Sequence, residues 1–190
     1  MTTRIPVNGE LQEDELLRLA KAGDKEAFTE IVRRHEPAVL TLANRLSDDS
    51  HMAADIAQEA MIRAWKGLDS FRGDAAISTW LHRITVNVAW THRKRAVRRR
   101  ALPIEDVAHS LDAGPGVRPE EMGEAAMLGR TIRRSIRALP VGLRAVVVLK
   151  DVYGWSHAEI SEALGISVTA TKVRLHRGRT RLQADLEGRV

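Results

Sequence analysis

The sequence contains no cysteine, and aromatic side chains make up only 4% of its 190 residues. Without cysteine the chain has no disulfide framework, no thiolate nucleophile and no cysteine-containing zinc or iron–sulfur site. No apolar run approaches the roughly 20 residues of a membrane span, and the first residues lack the apolar core of a secretory leader. These absences predict a cytoplasmic protein with no membrane contact of its own.

Motifs of enzyme chemistry are also absent. The seven histidines form no His-x-x-x-His pair and no Glu-flanked ligand motif, and neither a Walker loop nor a dinucleotide-binding glycine fingerprint occurs. Alanine, leucine, arginine and glutamate dominate instead, and these residues lose little rotamer freedom in helices. We therefore expect an all-α protein that is not an enzyme and needs no cofactor or metal.

The charge is distributed unevenly along the chain. Residues 1–100 have a net charge of +3, residues 101–127 of −5 and residues 128–190 of +7. The acidic part contains Pro103, Gly114, Pro115 and Gly116, which break helices. We therefore predict two small helical domains, 1–100 and 127–190, joined by a flexible acidic linker at 101–126.

Apolar periodicity and capping residues predict the helices. In the second helix Pro37 should cause a kink or a break. In the third, Ile56, Ala60 and Trp65 should face inward. The helix after the linker should begin at Pro119. The predicted ranges are 11–22, 25–46 (after the cap Asp24), 52–67 and 78–99 before the linker, and 119–138 and 145–152 after it.

Residues 155–182 have the pattern of a helix-turn-helix. Ser156 and Glu159 form a capping box at the start of a short helix, Gly165 ends that helix, and Ser167 caps a second helix. A short helix, a glycine-containing turn and a second helix with many donors on its outer face are typical of DNA binding. The alternative is a helical hairpin whose basic face is only solvated.

Helical geometry assigns two faces to the second helix of this motif. The inward face consists of Val168, Thr171, Leu175, Gly178 and Leu182. The outward face offers donors for guanine edges or phosphates, and one valine methyl for thymine. Its residues are Thr169, Lys172, Val173, His176, Arg177 and Thr180.

Two segments further upstream match known motifs. Residues 55–65, DIAQEAMIRAW, and residues 71–87, FRGDAAISTWLHRITVN, resemble consecutive motifs of bacterial sigma factors. The helix-turn-helix resembles the C-terminal domain of the same family, and the three segments follow the family's order. The chain has no room for the long middle domain of housekeeping sigma factors, so it resembles the compact extracytoplasmic-function (ECF) type.

This resemblance implies an initiation subunit that binds core RNA polymerase and promoter DNA. The helix with Asp55, Gln58, Glu59 and Arg63 would bind the clamp of the largest polymerase subunit, and the C-terminal domain would bind the flap of the second-largest. An anti-sigma factor is a further implied partner. Without the resemblance, the same helix would be interpreted as an ordinary amphipathic one with solvated polar residues.

The resemblance also assigns the DNA contacts. A loop with glycine and polar side chains could receive an unstacked base of the −10 element, and the cations after it could contact phosphates, although they could also be a solvated helix end. Trp80 has the spacing of a core residue. The implied −10 residues are Arg72, Gly73, Asp74, Asn87, Arg93, Lys94 and Arg95, and the implied −35 residues are Thr169, Lys172, Val173, Arg174, His176 and Arg177.

The chain departs from the family pattern at Ala170, Thr171 and Gly178, where threonine, valine and alanine are usual. Thr171 needs a hydroxyl partner on the inward face, and glycine in a helix costs about 1 kcal/mol relative to alanine. The competing interpretation is a helix-turn-helix regulator that acts without polymerase and dimerises on a palindrome. It leaves the two upstream segments unexplained.

Overall fold

A computed structural model describes residues 12–47, 49–100 and 124–188. Within these ranges the chain is α-helical without strands, which confirms the all-α prediction. The predicted helix start at Pro119 and most of the predicted linker lie outside the described residues. The helices are α1 (Glu13–Lys21), α2 (Lys25–Leu46), α3 (Ser50–Gly67), α4 (Ile77–Arg100), α5 (Glu124–Ala138), α6 (Val141–Val147), α7 (His157–Leu164) and α8 (Val168–Glu187).

Side-chain caps set two of the early helix starts. The Asp24 carboxylate accepts a hydrogen bond from the Ala27 amide at 3.0 Å, as predicted for α2. The Asp49 carboxylate accepts from the Met52 amide at 2.6 Å. Because Asp49 is the cap, α3 begins at Ser50, two residues before the predicted start.

Helix α2 continues through Pro37 as one element of 22 residues, so Pro37 does not split it. Buried side chains lie on both sides of the proline, with Ile31 before it and Val39 and Leu42 after it. This packing holds both halves of the helix against the rest of the protein and outweighs the hydrogen bond that proline removes.

Helices α1–α4 form what we call the N-terminal module. Its core contains Ala27, Ile31, Ile56, Ala60 and Leu81, all buried. Small residues on α3 (Ala53, Ala57, Ala60 and Ala64) are buried where it packs against α2 and α4.

Trp65 is the exception among the residues predicted to face inward in α3. Its side chain is 36% exposed and packs on Phe28, with ring centroids 4.8 Å apart. Ala64 occupies the fully buried position instead. A helix turns by about 100° per residue, so Trp65 lies at the edge of the core rather than within it.

Helices α5–α8 form the C-terminal module. The predicted helix at 145–152 begins earlier, at Val141 after Pro140, and ends in a π-helical segment at Val148–Val152. Val146, Val147 and Leu149 are buried at the centre of this module. The same apolar cluster includes Leu42, Leu46 and Val86 of the N-terminal module, so the two modules share a core. No helix in the described ranges is long and apolar enough to cross a membrane.

Candidate nucleic-acid and partner interfaces

The capping groups of the helix-turn-helix form as predicted. The Glu159 amide donates to Ser156 Oγ at 3.2 Å, and the Ser156 amide donates to Glu159 Oε2 at 2.9 Å. Gly165 ends α7 in the left-handed conformation, with φ +64°, which glycine adopts without steric cost. Ser167 Oγ then accepts from the Ala170 amide at 3.1 Å and starts α8. These groups fix the turn between the two helices.

The faces of α8 follow the predicted pattern with one difference, at Val168. Thr171, Leu175 and Gly178 are buried against the module, and the outward set (Thr169, Lys172, Val173, His176, Arg177 and Thr180) is exposed. Val168 is 42% exposed because it lies in the first turn, before α8 meets the core. Arg174 is partly buried beside Gly142 of α6, on the flank of the outward face.

The structure explains both unusual residues on the inward face. Thr171 Oγ1 donates to the Ser167 carbonyl at 3.1 Å, which supplies the hydroxyl partner that this position needs. A Cβ atom on Gly178 would lie 2.6 Å from Val147 Cγ2. Glycine is therefore required for α8 to approach α6 this closely, and its lower helix propensity is not a defect at this position.

The loop from Phe71 to Ala76 presents the first group of implied −10 residues. Arg72, Gly73 and Asp74 are all exposed, and Gly73 has φ +81°. The loop is anchored by Phe71, whose ring packs on Trp80 at 5.2 Å and whose carbonyl accepts a hydrogen bond from Lys21. Trp80 packs against the N-terminal core, as its spacing predicts.

A groove of about 420 Å³ lies between this loop and α1. Side chains of both signs line it, and its walls include the backbone of Gly73. A groove of this kind offers both apolar surface and hydrogen-bonding groups to a flat polar ligand. The lining residues include Glu13, Asp14, Arg18, Lys21, Phe71 and Arg72.

The implied −10 residues on α4 differ in their surroundings. Asn87 and Arg95 are exposed. The Arg93 guanidinium lies over the Trp90 ring, 5.5 Å from its centroid. The Lys94 ammonium lies 3.5 Å from the position that a Cβ on Gly165 would occupy. Arg93 and Lys94 are therefore directed toward the C-terminal module rather than toward the loop.

The implied polymerase-binding residues lie on one side of α3. Asp55 and Gln58 are exposed. Glu59 accepts hydrogen bonds from Arg63 on its own helix and, at 2.6 Å, from His92 Nε2 on α4. These bonds, led by the one from His92, lower the pKa of Glu59 below its ordinary value. The Glu59 carboxylate therefore connects the two helices.

Helices α3 and α5 carry exposed apolar residues that were not predicted from the sequence. Ile62 is 48% exposed on α3, in the same stripe as Gln58 and Glu59. Met127, Leu128 and Ile132 are exposed on α5. Ile62 lies four residues after Gln58 and three after Glu59, and this spacing was the sequence signal that placed it on the same face. An apolar residue in a helix is, however, ordinarily assigned to the core. Among the described residues no cluster of His, Asp and Glu could hold a metal ion.

The fold and these surfaces define a class of protein. It is an all-α DNA-binding protein in which a helix-turn-helix module packs against a second helical module, whose exposed loop lies beside a groove. Comparison with known proteins gives the family. The Sigma-70 region 2 model matches residues 31–100, and the Sigma-70 region 4 model matches residues 129–182.

Relatives of known identity match most of the chain. It is 39% identical to the ECF RNA polymerase sigma factor SigM of Mycobacterium tuberculosis H37Rv, over 91% of this chain and 84% of that one. It is 36% identical to the ECF RNA polymerase sigma factor SigW of Bacillus subtilis 168, over 90% of this chain and 94% of that one. The chain therefore belongs to the ECF sigma factors of RNA polymerase.

Solved structures agree with this fold. The sigma factor RpoE of Bartonella quintana, solved with the anti-sigma factor NepR, matches with a TM-score of 0.60 and 23% identity, over 84% of this chain and 96% of that one. CnrH, solved with the cytosolic domain of CnrY, matches with a TM-score of 0.56 and 26% identity, over 93% of this chain and 99% of that one.

Proposed function

We propose that this ECF sigma factor binds core RNA polymerase, reads the −35 and −10 promoter elements through separate surfaces and helps to open the DNA. The exposed outward face of α8 is the observation that carries the proposal. The chain would act in the cytoplasm as an initiation subunit without catalytic activity. Its functional division would be 1–100 for polymerase and −10 binding, 101–126 as a linker, and 127–190 for −35 binding.

The −35 element would be read in the major groove by α8. Lys172, His176 and Arg177 offer donors on the exposed face, and Val173 offers a methyl contact for thymine. Arg174 lies on the flank, which suits a phosphate contact better than a base contact. Thr169, in the first turn, would contact the backbone or the edge of the site.

The −10 element would be captured by the loop that contains Arg72, Gly73 and Asp74. The adjacent groove is large enough for a flat base, and its lining has both apolar and charged groups. Opening DNA costs a few kcal/mol per base step, so capture of an unstacked base shifts that equilibrium toward the open form. Asn87 and Arg95 would contact the strand nearby, and Arg93 and Lys94 its phosphates.

Core polymerase would be bound on both modules. The side of α3 with Asp55, Gln58, Glu59 and Arg63 would bind the clamp of the largest subunit, and Ile62 gives this polar surface an apolar centre. The exposed apolar residues of α5 (Met127, Leu128 and Ile132) would bind the flap of the second-largest subunit. An apolar stripe surrounded by arginines fits a helical partner.

An anti-sigma factor is a further proposed partner. Two structural neighbours were solved with partner proteins, and one of those partners is an anti-sigma factor. A protein that covers the α3 side or the apolar stripe of α5 would block polymerase binding. This proposal concerns the class of partner, because the surfaces themselves specify no single protein.

Transcription in vitro tests the proposal. Purified core polymerase is incubated with a genomic promoter library, with and without this chain. We expect initiation that depends on the chain, at start sites that share two spaced upstream elements. A variant with Lys172→Ala and Arg177→Ala should lose initiation, whereas Arg33→Ala, at an exposed position of α2 outside the proposed surfaces, should retain it. Tight binding to a palindrome without polymerase, and no initiation, would establish a helix-turn-helix regulator instead.

A further inference from the structure

The loop from Phe71 to Ala76, which we call the −10 loop, has few bonds of its own. Within the described part of the chain, residues 72–75 neither donate nor accept a backbone hydrogen bond. The residues at its tip are exposed, and Gly73 has a φ of +81°, which glycine adopts without steric cost. Local bonds therefore do not fix the geometry of the −10 loop, and its position depends on how its ends are held.

Phe71 holds the N-terminal end of the −10 loop. Its side chain is buried, its ring packs on Trp80 with centroids 5.2 Å apart, and its amide donates to the Leu68 carbonyl at 3.0 Å. The Phe71 carbonyl is the last backbone group before the exposed residues, and it accepts a hydrogen bond from Lys21 Nζ. The Lys21 ammonium also lies over the Phe71 ring, 5.5 Å from its centroid. Lys21 therefore contacts the −10 loop at the residue where its exposed segment begins.

Helix α1, which carries Lys21, is held in place along its length. Leu16 and Ala20 are buried in the core of the N-terminal module. Glu13, in the first turn of α1, has its carboxylate 2.7 Å from His35 Nε2 on α2. Lys21 lies in the last turn, where the free carbonyl groups of a helix favour a positive charge. The bond from Lys21 therefore links the backbone of the −10 loop to a helix that is fixed by its own packing.

The contacts of Lys21 are directed to the protein rather than to solvent. A hydrogen bond from an ammonium group to a carbonyl is stronger than one between neutral groups. Lys21 also lines the groove between α1 and the −10 loop, so this bond sets the spacing of the two walls. The alternative role for an exposed lysine near a DNA-binding loop is a direct phosphate contact.

We propose that Lys21 is a positioning residue of the −10 site: it acts through Phe71 to hold the −10 loop in the geometry that receives a base, and it does not itself bind DNA. The proposal rests on the proposed function for the role of this loop. Without the bond from Lys21, residues 72–75 would adopt many geometries in the free chain. The cost of ordering them would then reduce the affinity for the captured base.

Spin-label mobility in the free full-length chain tests the anchoring. The chain has no native cysteine, so Asp74→Cys places a single label on the exposed part of the −10 loop. Lys21→Met removes the donor and the charge but keeps an unbranched side chain. We expect a more mobile label in Lys21→Met and the parent mobility in Lys21→Arg, because arginine retains both the donor and the charge. Lys25→Met is the matched control, since Lys25 is exposed and lies outside the groove.

Base capture is measured on chains without the label, bound to core polymerase. The probe is a promoter at which the parent chain initiates, with its −10 region made unpaired so that no opening is needed. If the released loop has the competent geometry about one tenth of the time, the affinity of Lys21→Met for this probe falls about tenfold. Lys21→Arg should restore the affinity, and Lys25→Met should bind like the parent chain. Binding of core polymerase itself should be equal in all of these chains.

Salt dependence separates positioning from a direct DNA contact. A lysine that neutralises a phosphate contributes about one unit to the slope of log affinity against log salt concentration. Because Lys21 acts through the −10 loop, we expect Lys21→Met to bind more weakly than the parent chain with the same slope. A slope smaller by about one unit would show that Lys21 contacts a phosphate, and it would overturn the proposal.

Thermal unfolding separates positioning from a general role in the fold. The melting temperature of Lys21→Met should stay within about 2 °C of the parent value, because a lost surface contact costs little. A fall as large as that of a core substitution, an unchanged label mobility or an unchanged affinity for the unpaired probe would each overturn the proposal. If the parent chain initiates at no promoter, the proposed function fails, whereas the label still decides whether Lys21 holds the loop.

Discussion

The His92 imidazole on α4 and the Glu59 carboxylate on α3 lie 2.6 Å apart, from Nε2 to Oε2. Glu59 also accepts from Arg63, so one carboxylate connects the proposed polymerase-binding side of α3 to the helix proposed to contact DNA. His92 immediately precedes Arg93 and Lys94 in the sequence. The bond therefore joins α3 to the residue that immediately precedes this basic segment.

Acid should remove the stabilisation that Glu59 provides. Its pKa is lowered in the folded protein, so its contribution is complete above the ordinary carboxyl value of 4.5 and is lost as the pH falls through the lowered value. We expect Glu59→Gln to be less stable than the parent chain at neutral pH and the difference to shrink below pH 4.5. Urea unfolding across this range measures it.

The matched control for that measurement is Glu15→Gln. Glu15 also has a lowered pKa, but its partner is Arg18 on the same exposed face of α1. Exposed pairs of this kind contribute little to stability, so its pH profile should follow that of the parent chain. A Glu59→Gln profile parallel to the parent's over the whole range would contradict the role of the His92 contact.

Ile62→Ala should weaken binding to core polymerase. Burial of an isoleucine side chain contributes about 1.5–3 kcal/mol, so we expect a loss of about tenfold or more in a fluorescence binding assay. Because Ile62 is 48% exposed in the free chain, its replacement should barely change the melting temperature. Val152→Ala, at a similarly exposed valine of the C-terminal module, should bind like the parent. Equal affinities for both variants would exclude Ile62 from the contact.

Arg177→Ala should relax the −35 preference at one base pair. A bidentate contact from arginine to a base discriminates by about 1–3 kcal/mol, and Arg177 is exposed on the outward face of α8. Transcription from promoters randomised at single −35 positions measures the change. Thr180→Ala, further along the same face, should keep the preference. Uniform losses on every promoter would show that Arg177 contacts only phosphate.

Gly178→Ala should destabilise the chain although alanine is the better helix former. The alanine Cβ would lie 2.6 Å from Val147 Cγ2, and overpacking costs about 1–3 kcal/mol, against a gain of about 1 kcal/mol in propensity. Gly142→Ala on α6 is the control, since its Cβ would meet Arg174 at an ordinary 3.7 Å. Thermal unfolding should give a lower melting temperature for Gly178→Ala than for Gly142→Ala. A Gly178→Ala chain as stable as the control would mean that α6 and α8 can separate without cost.

Local sequence signals predicted the caps and turns well. Asp24, Ser156 with Glu159, Gly165 and Ser167 all act as predicted, because each effect depends on atoms within three or four residues along the chain. The sequence also predicted which residues of α8 face outward, apart from Val168 at its first turn. Hydrogen bonds between residues three or four apart, and the periodicity of a single helix, can be predicted without knowing the rest of the fold.

Pro37, Trp65 and Gly178 show where local reasoning fails. Packing on both sides of Pro37 keeps α2 continuous, Ala64 takes the buried position expected for Trp65, and Val147 makes Gly178 necessary. In each case the deciding atom belongs to another helix or to a neighbouring turn. Propensity and periodicity describe one helix at a time and contain no information on these contacts.

The sequence by itself determined the all-α fold, the helix-turn-helix and the family to which the chain belongs, because these depend on short-range capping and on motifs of contiguous residues. The tertiary structure alone decided the Glu59–His92 bond, the exposure of Ile62 and the packing of Tyr153 between Arg45 and His82. These pairs are separated by 33 to 108 positions in the chain. Contacts over such separations form only when whole helices pack, so no local pattern encodes them.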